Sequence, residues 1–190
     1  MGIKFDEKKA HKLNDPGRIK WQDPDLLSTI FGDMDSKTAV ELGVGTGYFA
    51  VALAKKYKKA KIVGVDISFE MIQKFKENAE ANGITNVLCV KSEENDTLLR
   101  DNFADVVYLI NVYHELADQR LFLMEARRIL KKGGTILIID WKAEDTPQGP
   151  PLYERIGADH IVDQLKLLKF KKISSSYEIY PYHYAIKAEK

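Results

Sequence analysis

The chain has 190 residues, 45% of them hydrophobic, which is enough for the core of one domain of ordinary size. Lysine and arginine number 29 against 28 aspartates and glutamates, so the net charge of +1 gives no support to nucleic acid as a partner. The one cysteine, Cys89, excludes an internal disulfide and a cysteine-cluster zinc site, and no metal site is predicted. Because the chain lacks both a signal-peptide core and an apolar run of roughly 20 residues, we expect a cytoplasmic protein without membrane insertion.

Short apolar runs typical of buried strands alternate with amphipathic runs typical of helices along most of the chain. Residues 1–35, with Pro16, Gly17 and Pro24, predict one or two short helices that form a lid segment over an α/β core at 36–190. The core is predicted to contain strands at 38–42, 61–65, 87–90, 104–110 and 135–139, and helices at 48–57, 69–82 and 119–130. The strand sequences are mostly uncharged, which predicts a parallel sheet buried on both faces.

Residues at the predicted helix ends support these bounds. Ser68 and Gly83 fit the N-cap and C′ positions of the second helix, and Gly133-Gly134 is predicted to end the third. Beyond the Pro/Gly stretch at 146–151, a helix is predicted within 152–168 and a hairpin from strands at 170–179 and 182–188. We therefore predict a single domain over 1–190, with a Rossmann-like, doubly wound, seven-stranded sheet, mostly parallel with an antiparallel C-terminal strand.

A glycine-rich turn follows the first predicted strand, in the segment Glu41-Leu42-Gly43-Val44-Gly45-Thr46-Gly47-Tyr48. In an open α/β sheet this turn is the usual ligand cradle. The dinucleotide fingerprint G-x-G-x-x-G would place its third glycine at position 48, where this chain has tyrosine. The spacing therefore disfavours a nicotinamide oxidoreductase.

Acidic residues follow the next two predicted strands. Asp66 ends the second strand, where a carboxylate accepts hydrogen bonds from both ribose hydroxyls of a nucleoside. Glu93 and Glu94 end the third, one strand further over, where an acceptor suits an exocyclic amine such as that of adenine. Together with the glycine turn, these acids predict a nucleoside-containing ligand.

The sequence resembles the class I S-adenosylmethionine-dependent methyltransferases over nearly its whole length. The resemblance lies in VELGVGTGYFA at 40–50, VGVDIS at 63–68, VKSEEN at 90–95, DVVYLINVYHEL at 105–116 and LKKGGTILIIDW at 130–141. It looks closest to the branch with the ubiquinone/menaquinone-biosynthesis methyltransferases and uncharacterised prokaryotic proteins. The resemblance implies methyl transfer from S-adenosyl-L-methionine, leaving S-adenosyl-L-homocysteine, to a small-molecule acceptor.

The resemblance also implies which residues hold the cofactor. The glycine turn takes the methionine moiety, the acid after the second strand takes the ribose, and Glu93 lies at the adenine amine. Asn111, at the end of the fourth strand, contacts the methionine portion, and Arg18 is expected either to close on the methionine carboxylate or to form a surface ion pair. The expected cofactor-binding residues are Glu41, Gly43, Gly45, Gly47, Asp66, Ile67, Glu93, Glu94, Asn111 and Arg18.

Candidate catalytic residues follow the fourth and fifth strands, whose ends face the methyl group in this fold. Tyr113 and His114 are the candidates, with His114 as a base for an acceptor that must lose a proton. The alternatives are a packed or helix-capping role for His114, a capping role for Glu115, and either an acceptor wall or a cover over the sheet edge for Trp141. Alignment of donor and acceptor alone accounts for much of such a reaction, so no base is obligatory.

Three further features bear on the acceptor. DNA and protein-amide methyltransferases commonly carry Asn-Pro-Pro-Tyr where this chain has Asn111-Val112-Tyr113-His114, which argues against extruded bases and amide nitrogens. The lone Cys89 argues against arsenite, whose methylation needs several thiolates. RNA or protein acceptors would require the lysine clusters at 55–61 and 166–172 to share one face, although cations at helix ends also complement the macrodipole.

A non-catalytic cofactor-binding module and a homodimer paired through the hairpin edge also stay open.

Overall fold

A computed structural model describes Ala10 and residues 13–190, so the first part of the predicted lid segment lies outside the described residues. Short 3₁₀ turns at Pro16–Lys20, Pro24–Leu26, Tyr113–Glu115 and Leu152–Glu154 accompany the regular elements. The helices are α1 (Leu27–Phe31), α2 (Tyr48–Lys56), α3 (Phe69–Ala81), α4 (Gln119–Ile129) and α5 (Ala158–Leu167). The strands are β1 (Thr38–Leu42), β2 (Lys61–Asp66), β3 (Val87–Lys91), β4 (Ala104–Ile110), β5 (Leu130–Trp141), β6 (Lys171–Tyr180) and β7 (His183–Glu189).

Within the described residues, seven strands form one sheet in the order β3-β2-β1-β4-β5-β7-β6. Strands β1 to β5 pair in parallel, whereas β7 pairs antiparallel with both β5 and β6. The predicted Rossmann-like architecture is therefore confirmed, including the antiparallel C-terminal strand. No helix among the described residues is long and apolar enough to cross a membrane.

Alternating strand residues pack into two hydrophobic layers, one on each face of the sheet. One layer joins α4 and α5 to the sheet through residues such as Leu123, Ile161 and Leu165. The other joins α1, α2 and α3 through residues such as Leu27 and Phe75. This two-faced burial explains the uncharged sequences of the central strands.

Two sequence expectations are wrong in detail. Helix α4 ends at Ile129, and β5 already begins at Leu130, so Gly133-Gly134 lies within the strand and does not end the helix. The glycines are held there by the C-terminus, since Gly133 N donates to Lys190 O and Lys190 N donates to Gly134 O. Strand β3 is an edge strand and is only partly buried, so Cys89 within it is half-buried.

The topology brings the carboxyl ends of β1, β2, β3, β4 and β5 to one margin of the sheet, which we call the ligand edge. The lysine clusters at 55–61 and 166–172 lie where β2 and β6 begin. Because β6 runs in the same direction as β5, both clusters lie at the margin opposite the ligand edge. Both clusters are remote from the ligand edge, and β1, β4, β5 and β7 lie between them in the sheet.

The N-cap of α3 gives a first testable expectation. Ser68 Oγ accepts a hydrogen bond from Met71 N at 3.1 Å, as the sequence predicts. Replacing Ser68 with alanine should lower the free energy of unfolding by about 1 kcal/mol, because this N–H then loses its partner. Urea unfolding measures the change, with Ser175→Ala on the exposed part of β6 as the control. Equal losses in the two variants would contradict a capping role.

Candidate active site

The turn between β1 and α2 depends on glycine at defined positions. Gly43, Gly45 and Gly47 have φ angles of 72°, 53° and 81°, in the left-handed region that side chains disfavour. A Cβ atom at Gly47 would lie 2.1 Å from Cδ2 of Phe75, and one at Gly43 would lie 2.5 Å from Cγ2 of Val112. The turn therefore requires glycine both for its left-handed backbone and for the close approach of Phe75 and Val112.

Asp66 joins the end of β2 to this turn. Its Oδ2 atom accepts a hydrogen bond from Gly45 N at 2.8 Å, and its Oδ1 atom accepts one from Ser68 N at 2.9 Å. The neighbouring Ile67 is 39% exposed and offers an apolar surface beside the acid. The structure thus places Asp66 and the glycine turn together, as the sequence predicts.

Two acids follow β3 in a tight turn closed by backbone hydrogen bonds between Glu93 and Asp96. The carboxylate of Glu93 is largely exposed and lies 3.0 Å from Lys91 Nζ. The carboxylate of Glu94 accepts a hydrogen bond from Ala117 N at 3.2 Å, which ties this turn to the segment before α4. Glu93 is therefore the acid of the two that is more open to a ligand.

Glu41 lies within the protein, close to the glycine turn. It is 2% exposed, and Tyr108 Oη donates a hydrogen bond to its Oε2 atom at 3.0 Å. Burial raises the pKa of Glu41 to about 8, although the Tyr108 hydrogen bond and the charge of Arg18 oppose the shift. A carboxyl with such a pKa holds its proton at neutral pH.

Arg18 is buried, so the surface ion-pair alternative is wrong. Its Nε and Nη2 atoms donate to Gln22 Oε1 at 3.0 and 2.7 Å, and its Nη1 atom donates to Leu13 O. The guanidinium lies 4.5 Å from the ring centre of Tyr48 and 5.0 Å from that of Phe49. Burial lowers the pKa of Arg18 to about 10, so it remains a cation at the start of α2.

Gln22 connects the N-terminal segment to the end of β4 and the start of β7. It is fully buried, and its Oε1 atom accepts from Asn111 Nδ2 at 3.0 Å while its Nε2 atom lies 3.1 Å from His183 Nε2. Burial, reinforced by the charge of Arg18, lowers the pKa of His183 to about 3, so this ring stays neutral. Asn111, with a φ of 61°, is thereby held on the ligand edge beside the glycine turn.

His114 and Asp140 form a buried pair where β4 and β5 end. His114 Nδ1 lies 2.8 Å from Asp140 Oδ1, and the backbone N–H of His114 donates to Asp140 Oδ2 at 3.1 Å. The carboxylate only accepts, so Nδ1 carries the hydrogen and Nε2 of the neutral ring carries the lone pair. Burial alone would lower the pKa of His114, but the charge and hydrogen bond of Asp140 outweigh it and raise that pKa.

A cleft of about 620 Å³ lies between the start of α4, the 3₁₀ turn Leu152–Glu154 and α5. His114 lines this cleft, together with Leu116, Tyr153, Glu154 and His160 among others. Its ring is only 6% exposed, and no hydrogen bond satisfies Nε2 among the described residues. The arrangement places a positioned imidazole lone pair beside a cavity of small-molecule size.

A sequence profile of the methyltransferase domain family matches residues 40–138, which include the glycine turn, Asp66 and His114. The chain belongs to this family. A crystal structure of an S-adenosylmethionine-dependent methyltransferase from Aquifex aeolicus is 32% identical, superposes with a TM-score of 0.92, and is matched over 98% of this chain and 99% of its own. The protein is accordingly an S-adenosylmethionine-dependent methyltransferase.

Two curated relatives add to this comparison. An uncharacterised protein of Methanocaldococcus jannaschii is 35% identical over 153 residues, which cover 74% of this chain and 68% of that protein. A ubiquinone/menaquinone biosynthesis C-methyltransferase of Desulfotalea psychrophila is 28% identical over 109 residues, which cover 57% of this chain and 43% of that protein. The branch that the sequence resembles is therefore confirmed, although the methyltransferase spans less than half of the second relative.

The residues on the ligand edge fit S-adenosylmethionine. Gly43 and Gly45 are partly exposed and carry no side chain, and the carboxylates of Asp66 and Glu93 suit a ligand with hydroxyl, amine and cationic groups. Asn111 and Arg18 lie in one polar network with Gln22, next to the turn. The structure thus brings the expected cofactor residues to one edge of the methyltransferase.

The two candidate catalytic residues occupy different environments. Tyr113 is fully buried, its hydroxyl has no hydrogen-bond partner among the described residues, and burial raises its pKa. His114 instead lines the cleft. Trp141 is buried and packs against Trp21 and His183, with ring centres 5.6 and 4.1 Å away, so it covers the sheet edge beneath the N-terminal segment.

Two residues of this site have roles that the sequence alone does not reveal. In the sequence, Asp140 is only one residue of the segment at 130–141, yet in the structure it fixes the ring of His114. A histidine and an acid at the ends of neighbouring parallel strands would have been a usable signal. Gln22 carried no such signal, because its partners Asn111 and His183 lie 89 and 161 residues away in the sequence.

Proposed function

We propose that this methyltransferase transfers the methyl group of S-adenosylmethionine to a small molecule bound in the cleft between α4 and α5. The observation that carries the proposal is the buried His114–Asp140 pair, in which Asp140 holds Nδ1 of a histidine that lines this cleft. His114 is the general base, and Asp140 is the positioning residue that fixes its tautomer and orientation. In this conformation His114, and not the buried Tyr113, touches an acceptor.

The cofactor residues keep their predicted roles in this proposal. Asp66 accepts from the ribose hydroxyls beside Ile67, Glu93 and Glu94 lie at the adenine, and the glycine turn with Glu41 holds the methionine. Asn111 and Arg18 complete the methionine end, which lies on the same strand ends as the His114–Asp140 pair. S-adenosylmethionine supplies a methyl group on a sulfonium, which needs no activation beyond alignment and exclusion of water.

The shape and charge of the molecule favour a small acceptor. A volume of about 620 Å³ falls within the usual range for small-molecule sites, about 300–1,000 Å³. The two lysine clusters lie at the margin opposite the ligand edge, with β1, β4, β5 and β7 between them. A polyanion held there would be roughly a strand length, about 20 Å, from the reacting groups.

Labelled S-adenosylmethionine provides the test. The protein is incubated with the labelled donor and, separately, with a size-filtered metabolite extract, total RNA and total protein. We expect label in the small-molecule fraction alone, and chromatography of that fraction then isolates the methylated product. Label in RNA or protein, or label in no fraction from a protein that binds S-adenosylhomocysteine, contradicts the proposal, the second outcome favouring a non-catalytic binding module.

A further inference from the structure

A second cavity, of about 220 Å³, lies at the margin opposite the ligand edge, between the end of α1 and the starts of β1 and β5. We call it the lysine pocket. The charged residues that line it are Lys37, Lys131, Lys132, Lys187 and Asp105. Positive charges therefore exceed negative charges by three in the lining of this pocket.

An irregularity of the sheet brings two of these lysines to the pocket. The pairing of β4 with β5 is interrupted at Asp105, opposite which β5 places the four residues 131–134. Gly134 permits this bulge, because a Cβ atom there would lie 2.8 Å from Lys131 O and 3.1 Å from Asp105 O. Bulges of this kind re-aim side chains, and here the inserted residues include Lys131 and Lys132.

The single acid of the lining is already held by other groups. Asp105 Oδ1 lies 2.7 Å from Lys131 Nζ, and its Oδ2 atom accepts a hydrogen bond from Thr38 N at 2.9 Å. Burial alone would raise the pKa of Asp105, but the hydrogen bonds from Lys131 and Thr38 and the charges of Lys131 and Lys37 lower it. Asp105 is therefore a carboxylate that compensates Lys131.

The other three lysines of the lining form no ion pair among the described residues. Lys37 Nζ donates to Asp33 O at 2.7 Å, and Lys187 Nζ donates to Ile30 O at 3.1 Å. A carbonyl oxygen orients an ammonium group without neutralising it, and each ammonium has three donors in all. The carboxylate of Asp33 accepts from a backbone N–H of its own loop, and Lys132 is exposed. Three positive charges thus remain uncompensated at the pocket.

Neutral residues complete the lining and limit its size. Thr135 adds a hydroxyl that makes no hydrogen bond among the described residues, and Phe31 closes the α1 side. Gly133 leaves the pocket open on the β5 side, since no atom lies within 4 Å of the position that a Cβ atom would take. A volume of about 220 Å³ falls below the range of about 300–1,000 Å³ that is usual for larger ligands. The pocket is therefore suited to a small anion with several acceptor atoms.

We propose that the lysine pocket binds a phosphate group, either as the free ion or as the phosphate of a small ester. Above pH 7 such a group carries nearly two negative charges and offers several acceptor oxygens. Lys37, Lys132 and Lys187 supply the opposite charge, as lysines do at other phosphate sites, and the Thr135 hydroxyl adds a donor. The site does not depend on the proposed function, because the length of a strand, about 20 Å, separates it from the ligand edge.

Two other classes of occupant fit the pocket less well. A monocarboxylate carries one negative charge and two acceptor oxygens, so it leaves most of the excess positive charge uncompensated. A polyanion such as RNA would contact the whole margin, including the lysine clusters at 55–61 and 166–172, and would need no cavity. The enclosed shape and the small volume favour a single phosphate group.

Calorimetry at low ionic strength and pH 7.5 tests the proposal with sodium phosphate, methyl phosphate, acetate and a single-stranded RNA of 12 nucleotides. We expect phosphate or methyl phosphate to bind once per chain and at least about tenfold more tightly than acetate. Lys132→Gln and Lys187→Gln should each weaken this binding by about tenfold. Lys76→Gln changes the net charge equally on the exposed face of α3, where Lys76 pairs with Glu80, and should have no effect.

Nuclear magnetic resonance locates the bound ion. On saturation with phosphate, the amide resonances of Gly133 and Thr135 should shift, whereas those of Gly45 and Asp66 on the ligand edge should not. The preference between phosphate and methyl phosphate identifies a free ion or an ester as the better ligand, and either result supports the site.

Four results would overturn the proposal. These are failure of both phosphates to bind, binding no tighter than that of acetate, binding that is insensitive to Lys187→Gln, and shifts confined to the ligand edge. RNA binding that phosphate does not displace would instead assign the lysines to a polyanion surface. None of these results touches the proposed function, which fails instead when label from S-adenosylmethionine reaches no small molecule.

Discussion

Replacing Asp66 with alanine is expected to weaken the binding of S-adenosylhomocysteine by about 100-fold or more. Two losses combine in this variant. The proposed acceptor for the ribose hydroxyls disappears, and the glycine turn loses the hydrogen bond from Gly45 N to Asp66 Oδ2 that holds it in place. A hydrogen bond to a charged group contributes about 1.5–3 kcal/mol, and 100-fold corresponds to about 2.7 kcal/mol. Isothermal titration calorimetry with S-adenosylmethionine and S-adenosylhomocysteine measures the change.

Two further variants separate these losses. Asp66→Asn keeps an oxygen that accepts from Gly45 N but removes the charge and one acceptor, so an intermediate loss of affinity is expected. Asp163→Ala removes one carboxylate from the exposed face of α5, where it pairs with Lys166, and should leave the affinity unchanged. Urea unfolding of all three verifies that they fold. Unaltered affinity in a folded Asp66→Ala variant would mean that the nucleoside does not bind at the end of β2.

The sequence predicted the sheet well because the physical signal was local. Each central strand is buried on two faces, so each appears as a short uncharged run, and turns such as that at Gly43–Gly47 carry their own glycine requirement. The start of β5 was misplaced because glycines commonly end helices. Here Gly133 and Gly134 are instead tied to the C-terminal Lys190, whose proximity follows only from the pairing of β5 with β7.

The active site was predictable where it depends on single strand ends and unpredictable where it depends on pairs. Asp66 and Glu93 lie at the ends of their own strands, so position in the sequence located them. The pairing of His114 with Asp140 depends on the register of β4 against β5, in which Asn111 N donates to Ile139 O. The burial of Arg18 depends on Gln22, whose value as a partner arises only once the N-terminal segment packs over β4 and β7.

Replacing His114 with asparagine is expected to have the largest effect on turnover. Removal of a positioned general base lowers rates by about 10²–10⁴-fold. The binding of S-adenosylhomocysteine should stay unchanged, because His114 lines the proposed acceptor cleft and is not one of the proposed cofactor-binding residues. Asp140→Asn should also slow the reaction, because the amide no longer fixes the tautomer of the ring. Transfer of labelled methyl to the small-molecule fraction measures both rates.

The pH dependence distinguishes a base from a packed residue. His114 accepts a proton only when neutral, so the rate of the unmodified protein should rise with pH through the raised pKa of His114. In Asp140→Asn the charge of Asp140 is lost and any remaining hydrogen bond is to a neutral amide, while burial, which lowers the pKa, remains. The pKa of His114 should therefore fall, and the rise in rate should move to lower pH. Ring resonances of His114 report the same shift without turnover.

The His114–Asp140 pair should also contribute to stability, and this contribution should fall as pH rises, whereas the reaction rate should increase. A histidine whose pKa is raised by folding contributes stability that is fully present below its unfolded pKa, about 6.5, and is lost as pH rises through the folded pKa. Asp140→Asn removes that contribution, so its loss of unfolding free energy should be larger in mild acid than in mild alkali.

The double variant of His114 and Asp140 should be no slower than His114→Asn alone, since both residues act as one unit. Additive rate losses, or a pH profile unchanged by Asp140→Asn, would assign the pair to packing and leave the reaction to alignment of donor and acceptor.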